Sequence, residues 1–181
     1  MRPKHLELDR IWIYFTLYSV IGWLYEVFLE VVVYHWGFSN RGVLWGPWLP
    51  IYGIGAMLFL LAVYPMIREK TGRQRLKWIP VVFLLCMLIA TTTELIASYI
   101  LEWRTGAWPW QTYADYAINF QARIALNPAI RFGLGGVLFL YVLQPLFEKL
   151  TDWMGERRCR KIAILIAFLF VADILYTILL R

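Results

Sequence analysis

Long apolar stretches alternate with short polar segments along this chain. Five of them are long enough for a helix of about 20 residues, which crosses the roughly 30 Å hydrocarbon core of a bilayer. They lie near Ile11–Tyr34, Trp48–Ile67, Trp78–Leu101, Ile130–Phe147 and Ile162–Leu180. The pattern predicts an all-α membrane protein with about five transmembrane helices, forming a single polytopic membrane domain over residues 1–181.

The composition excludes a soluble domain of this size. Hydrophobic residues make up 61% of the chain and charged residues only 17%, and the mean hydropathy is +0.59. A soluble fold has too little interior to bury so much apolar surface.

Basic residues indicate the orientation. One group lies between the second and third stretches (Arg68, Lys70, Arg73, Arg75, Lys77), and another lies between the fourth and fifth (Lys149, Arg157, Arg158, Arg160, Lys161). The positive-inside rule places both loops in the cytoplasm, with the amino terminus inside, near Arg2, Lys4 and Arg10, and the carboxyl terminus outside. The basic residues that orient the chain in the membrane then account for its net charge of +6, and we expect no nucleic-acid partner.

Two similar segments indicate an internal repeat. Gly53-Ile-Gly-Ala-Met-Leu-Phe-Leu resembles Gly133-Leu-Gly-Gly-Val-Leu-Phe-Leu, and each follows a polar segment that contains an arginine, Arg41 or Arg123. This predicts a parallel repeat of two helical hairpins with a fifth helix appended. The Gly-x-Gly pairs are more typical of close helix packing than of nucleotide binding, because no strand precedes them.

The connection Glu102–Pro128 is rich in aromatic residues whose amphipathic rings favour the headgroup level: Trp103, Trp108, Trp110, Tyr113 and Tyr116. We therefore expect a re-entrant or interfacial segment between spans three and four.

Two carboxylates inside apolar stretches, Glu26 and Glu94, are the strongest functional signal. A carboxylate in hydrocarbon costs several kcal/mol, so it normally faces a partner, a water-filled cavity or a ligand. We predict that they meet Arg41 and Arg123 in one polar site in the outer half of the bilayer. The full predicted substrate-binding or coupling set is Glu26, Asn40, Arg41, Tyr52, Glu94, Asn119 and Arg123, with Glu30 as a secondary member.

Simpler readings of these residues stay open. Glu26 and Glu30 stand one helical turn apart. They form either a proton- or cation-binding pair or two independent groups. In the second case Glu30 reaches water, and Glu26 pairs with Arg41 or Arg123. Asp173 and Arg131 are most simply explained as a structural ion pair. Neither Cys86 nor Cys159 indicates a function, and no metal-type spacing occurs, so we expect no metal and no cofactor.

The motif Gly22-Trp23-Leu-Tyr-Glu26, followed by Asn40-Arg41-Gly42-Val-Leu-Trp-Gly46-Pro47-Trp-Leu-Pro50-Ile-Tyr52-Gly53, resembles the bacterial type IV ABC-transporter family of integral membrane proteins. The third-span Glu94 and the later Trp110, Tyr113, Asn119 and Arg123 match the family pattern, except that its usual Trp-Asp-Tyr run is here Trp110-Gln-Thr-Tyr113. The resemblance covers most of residues Trp12–Leu140. It implies a transport component of the bacterial inner membrane, with its substrate and its ATPase left undefined.

We therefore expect a transporter or permease component, surrounded by lipid, with coupling through protonation of Glu26 or Glu94. A homo-oligomer is expected because five short spans alone enclose a poor pathway, and an ATPase or another membrane subunit is a possible partner. One alternative is a membrane-embedded enzyme acting on a lipid or lipid-linked headgroup. It ranks second because no nucleophile, metal cluster or catalytic motif is recognisable. The other alternative is a non-catalytic scaffold for a partner membrane protein.

Overall fold

The computed structural model describes residues 7–180, which are mostly helical. Arg2 and Lys4, which the topology prediction used, lie outside the described residues. The chain divides into two compact units, Met1–Met57 with Pro145–Arg181, and Leu58–Gln144. The expectation of one polytopic domain over the whole chain stays a prediction.

Within residues 7–180 the secondary structure consists of helices, the turns and loops that connect them, and one small β-hairpin. The helices are α1 (Leu8–Phe28), α2 (Pro50–Ala62), α3 (Gly72–Lys77), α4 (Ile79–Thr105), α5 (Leu126–Leu138) and α6 (Gln144–Leu180). π-helical turns extend α1 over Leu29–Val33 and α5 over Phe139–Leu143, and 3₁₀ turns span Tyr64–Met66 and Gln111–Asp115. The antiparallel strands β1 (Asn119–Phe120) and β2 (Ile124–Ala125) form the hairpin.

Helix α6 is interrupted at Gly155, whose backbone angles of φ 71° and ψ 164° are not helical. The thiol of Cys159 lies 3.4 Å from the carbonyl oxygen of Thr151, as a donor to it. In a straight helix, residues eight apart are separated by about 12 Å along the axis. The chain therefore reverses at Gly155, and α6 is a hairpin of two arms, residues 145–154 and 156–180.

Both arms pack against α1 in the first unit. Ile13 is buried with Cys159 and Ala163 of the second arm. Tyr14 and Tyr18 are fully buried, and their rings lie 6.5 and 5.2 Å from that of Phe147 in the first arm. Residues three and four apart share a helix face, so this one stripe of α1 contacts both arms.

Glycines allow close helix contacts in both units. A Cβ atom at Gly53 of α2 would lie 2.3 Å from the Ser19 hydroxyl of α1, and one at Gly136 of α5 would lie 2.3 Å from Cys86 of α4. Gly133 is similarly close to the Phe83 ring. The first glycine of each Gly-x-Gly pair, Gly53 or Gly133, therefore serves helix packing, whereas Gly55 and Gly135 meet no atom within 4 Å.

The helices have the length and surface of membrane spans. In the part of the chain that the structure describes, three are long and apolar enough to cross a bilayer, Leu8–Val33, Ile79–Thr105 and Leu126–Leu179, and Pro50–Met66 is a shorter apolar helix. Large apolar side chains cover the outside, for example Leu88 (58% exposed) and Phe168 (69% exposed). Such a surface suits lipid rather than water, so the chain is an all-α membrane protein. The count of five spans and the repeat stay predictions.

Candidate functional site: two glutamate–arginine clusters

The first cluster is centred on Glu30, in the π-helical turn that ends α1. Its side chain is 8% exposed, and its carboxylate accepts hydrogen bonds from the hydroxyl of Ser39 at 2.8 Å and the amide of Ser39 at 3.4 Å. Nε of Arg41 lies 3.1 Å from the same carboxylate. Glu30 is thus a buried, neutralised anion, and it does not reach water as one reading of the sequence proposed.

Asn40 holds the loop that follows α1. Its side-chain oxygen accepts a hydrogen bond from the indole of Trp23 at 2.8 Å, and its amide nitrogen donates to the carbonyls of Leu44 at 3.3 Å and Trp45 at 2.9 Å. The predicted site residue Asn40 therefore orients the loop backbone next to Arg41.

Glu26 has a different environment from Glu30. Its carboxylate accepts a hydrogen bond from the hydroxyl of Tyr52 at the start of α2. Gly22, one turn earlier on α1, makes room for the Tyr52 ring, because a Cβ atom there would lie 2.3 Å from it. Within residues 7–180 Glu26 forms no ion pair, so the pairing with Arg41 that the sequence left open is wrong.

A third carboxylate, Asp173 of α6, holds the same loop. It accepts hydrogen bonds from the amides of Trp45 at 2.9 Å and Gly46 at 2.8 Å, and from the indole of Trp48 at 2.6 Å. These three N–H donors satisfy the Asp173 carboxylate, and its ion pair with Arg131 stays a prediction. The signal for this role was present, since Asp173 lies in an apolar stretch just as Glu26 does.

The second unit contains a similar arrangement around Glu94 of α4. The hydroxyl of Tyr113 donates a hydrogen bond of 2.8 Å to the Glu94 carboxylate. At the preceding residue of the same helix, the hydroxyl of Thr93 bonds back to the carbonyl of Ile89 at 2.8 Å. This is the ordinary behaviour of a helical threonine, so Thr93 does not offer its proton to a pathway.

Arg123, 7% exposed, is enclosed by aromatic rings. Its guanidinium carbon lies 4.1 Å from the Tyr99 ring centre and 4.0 Å from that of Trp108. It forms an ion pair with Glu102 and donates a hydrogen bond of 3.3 Å to the Ser98 hydroxyl. A planar guanidinium suits such stacking, which adds to the charge pairing.

Asn119 shapes the hairpin turn that carries Arg123. Its side-chain oxygen accepts a hydrogen bond from the amide of Ala122 at 3.1 Å, and its amide nitrogen donates to the carbonyl of Tyr116 at 2.8 Å. Gln121 and Ala122 both have positive φ, near 54°, as a tight hairpin turn requires. The role of Asn119 is to hold this turn.

The two units share a pattern of contacts. In each, a tyrosine hydroxyl bonds to a glutamate within a span, and an arginine pairs with a second glutamate further along the same helix, Glu30 or Glu102. The tyrosine follows the arginine in the first unit and precedes it in the second. Sequence reasoning missed the partners Ser39, Ser98, Glu102 and Tyr113, because nothing in their spacing distinguishes them from interfacial polar residues. The joint site of Glu26, Arg41, Glu94 and Arg123 stays a prediction.

Chemically, each cluster offers a carboxyl group with a hydroxyl donor beside a neutralised ion pair. Within residues 7–180, no group of three or more histidine, cysteine, aspartate or glutamate side chains is arranged to hold a metal ion. The most direct use of a carboxyl group in this setting is to bind a proton or a cationic group.

Comparison with known proteins assigns a family. A family model described as "Putative ABC-transporter type IV" matches residues 13–178. No curated protein and no solved structure gives a match. The motifs from Gly22 to Glu26 and from Asn40 to Gly53 indicated this same family. Because the match extends over nearly the entire sequence, the chain belongs to the ABC-transporter type IV family.

Proposed function

We propose that this chain is a permease component of a membrane transporter in which Glu26 binds a proton or a cationic part of the solute. The observation that carries the proposal is the contrast between two carboxylates one helical turn apart. Glu30 is paired with Arg41, whereas Glu26 has the Tyr52 hydroxyl and, among residues 7–180, no ion-pair partner. A carboxylate without a cation is costly in an apolar span, so a proton or a cationic ligand stabilises it.

Arg41 supports this assignment in two ways. It neutralises the charge of Glu30. Of these two glutamates, Glu26 is then the one whose negative charge has no cationic partner among residues 7–180. It is also 37% exposed, and within the described residues its terminal nitrogens have no hydrogen-bond acceptor. These free donors suit an anionic group on the same solute. Asn40 and Asp173 support the site by holding the loop in place.

In the second unit, Glu94 with Tyr113 is the counterpart of Glu26 with Tyr52. Arg123 is buried, stacked against two rings and paired with Glu102, so we assign it a positioning role rather than direct contact with solute. The proposal includes one transport pathway in the outer half of the bilayer to which both glutamates contribute. Protonation of either glutamate would change the affinity of the site for solute. Proton binding and solute binding would thereby be coupled.

The proposed setting is the bacterial inner membrane, with five spans, the amino terminus in the cytoplasm and the carboxyl terminus outside. The reversal at Gly155 supports five spans, because it divides a 54-residue apolar helix, about 80 Å long if straight, into two arms. The family name suggests an ATPase partner, which would be a separate chain, since this sequence contains no phosphate-binding loop motif. We also propose a homo-oligomer.

The test is proton movement in proteoliposomes that contain a pH-sensitive dye, after addition of a panel of organic cations and zwitterions. Glu26→Gln should lower solute-dependent proton flux by about tenfold or more, because the neutral amide takes up no proton at neutral pH and has no charge to balance a cation. Glu26→Asp keeps a carboxyl group and should retain part of the flux.

Glu30→Gln is the matched control, one turn away on the same helix. It should lower thermal stability, because it leaves Arg41 without its anion, but it should leave the flux of the folded fraction largely intact. Wild-type flux in Glu26→Gln would refute the role of Glu26. If Glu26→Gln and Glu26→Asp both unfold the protein, the carboxyl group is structural and the scaffold alternative is favoured.

A further inference from the structure

The turn of α6 lies at one edge of the predicted membrane-embedded region. Nη1 of Arg10 is 2.7 Å from the Asp152 carboxylate and 3.1 Å from the Thr151 hydroxyl. Arg10 immediately precedes the apolar stretch of α1 that begins at Ile11. These contacts place residues 151–158 at the level where hydrocarbon gives way to lipid headgroups.

The turn carries uncompensated positive charge. Residues 149–161 contain five basic side chains and two acidic ones. Arg160 forms an ion pair with Asp9 at 3.4 Å, and Asp152 forms one with Arg10. Arg157, Arg158 and Lys161 are exposed and form no ion pair within residues 7–180. Clusters of this kind beside a membrane span attract anionic lipid headgroups.

An aromatic side chain accompanies this charge. Trp153 is 75% exposed, and the guanidinium carbon of Arg158 lies 6.0 Å from its ring. Tryptophan favours the headgroup and ester level of a bilayer. A shallow groove of about 720 Å³ at the turn is lined by Trp153, Glu156, Arg157 and Arg158, among others. The groove is positively charged, is lined by a tryptophan and lies at the headgroup level of the membrane. These properties match a phospholipid rather than a soluble ligand.

We propose that this groove binds the phosphodiester headgroup of an anionic phospholipid. Arg157 and Arg158 contact the phosphate, Lys161 adds to the local positive potential, and Trp153 lies beside the ester region of the lipid. The paired Arg10 and Asp152 hold the turn against α1 and so keep the groove at headgroup depth. The bound lipid would fix the α6 hairpin relative to the membrane surface.

Electron spin resonance of spin-labelled phosphatidylglycerol and phosphatidylcholine tests the proposal on the full chain, reconstituted in vesicles of these two lipids. The wild type should prefer phosphatidylglycerol. The double variant Arg157→Gln/Arg158→Gln should lose this preference by about fivefold per charge removed. The variant Arg157→Lys/Arg158→Lys keeps both charges and should retain most of the preference, which guards against misfolding of the neutral variant.

The control is Arg73→Gln/Lys77→Gln, which removes the same charge from exposed positions on the other predicted cytoplasmic loop. It should leave the lipid preference unchanged. An equal loss in both double variants would overturn the proposal in favour of a diffuse charge effect. Absence of a preference in the wild type would also overturn it. Displacement of the spin-labelled lipid by inorganic phosphate at matched ionic strength would overturn it as well, because free phosphate would then be the occupant.

Discussion

Arg123 shows at the residue scale how the second unit holds a buried cation. Its charge is matched by Glu102, and the guanidinium lies against the rings of Tyr99 and Trp108. Nothing around it is left for a solute to displace easily. Arg41, in the corresponding position of the first unit, pairs through one nitrogen and is much more exposed. Two arginines with a similar sequence context therefore have different surroundings.

Replacing Arg123 with alanine should destabilise the protein by about 2 kcal/mol or more, because two cation–π contacts and an ion pair are lost together. Arg123→Lys should recover only part of this, since an ammonium group does not stack between two rings. Arg104→Ala, an exposed arginine near the end of the same helix as Tyr99, is the control and should be neutral. Denaturant unfolding of the purified protein measures all three. Equal stability of the two alanine variants would contradict the structural role.

The sequence marked the charged residues of the two clusters more clearly than their partners. Glu26, Glu94, Arg41 and Arg123 stand out because charge in an apolar stretch is rare. Their partners do not stand out, since Ser39, Ser98 and Tyr113 are common at membrane interfaces. Arg41 pairs with Glu30 rather than with Glu26 because of the π-helical turn and the course of the loop after it. Neither feature has a clear sequence signature.

At the scale of elements, Gly155 determines the form of α6. An unbroken helical pattern from Leu126 onward would otherwise produce a helix far longer than a bilayer is thick. The backbone angles at Gly155 fall in a region that residues with a Cβ atom rarely adopt. The reversal brings Thr151 and Cys159 together and lets both arms contact α1.

Gly155→Ala should therefore lower stability by about 1–3 kcal/mol, although the added methyl group would meet no atom within 4 Å. Gly135→Ala is a matched control, because its Cβ atom also has open space but its backbone is helical. That variant should be neutral or stabilised by up to about 1 kcal/mol. Unfolding in a denaturing detergent compares them. A Gly155→Ala protein as stable as the Gly135→Ala protein would refute the backbone argument.

For the whole molecule, the proposed orientation follows from the distribution of basic residues. Residues 68–77 and 149–161 are the basic connections, whereas the loops after α1 and α4 carry the polar clusters. The positive-inside rule assigns the two groups to opposite sides of the membrane. The candidate site would then face the outer side, and the proposed lipid groove the cytoplasmic leaflet.

Cysteine labelling tests this orientation. In a background with Cys86→Ala and Cys159→Ala, Thr112→Cys should react with a membrane-impermeant maleimide in intact cells, because residue 112 belongs to an outer loop in this topology. Gln74→Cys should react only after the membrane is permeabilised. Both positions are exposed and uncharged, so their accessibility within the protein is comparable. The reverse labelling pattern would invert the proposed topology.

The sequence by itself determined the environment of this protein and its candidate groups, because the cost of placing polar atoms in hydrocarbon acts on every residue separately. Apolar length predicted helical spans, basic loops predicted an orientation, and isolated charges marked the residues to examine. Only the tertiary structure decided which charge meets which partner. Pairing depends on the π-helical turn at Glu30, the hairpin turn before Arg123 and the reversal at Gly155. These local backbone geometries move side chains by several ångströms, whereas a hydrogen bond forms only near 3 Å.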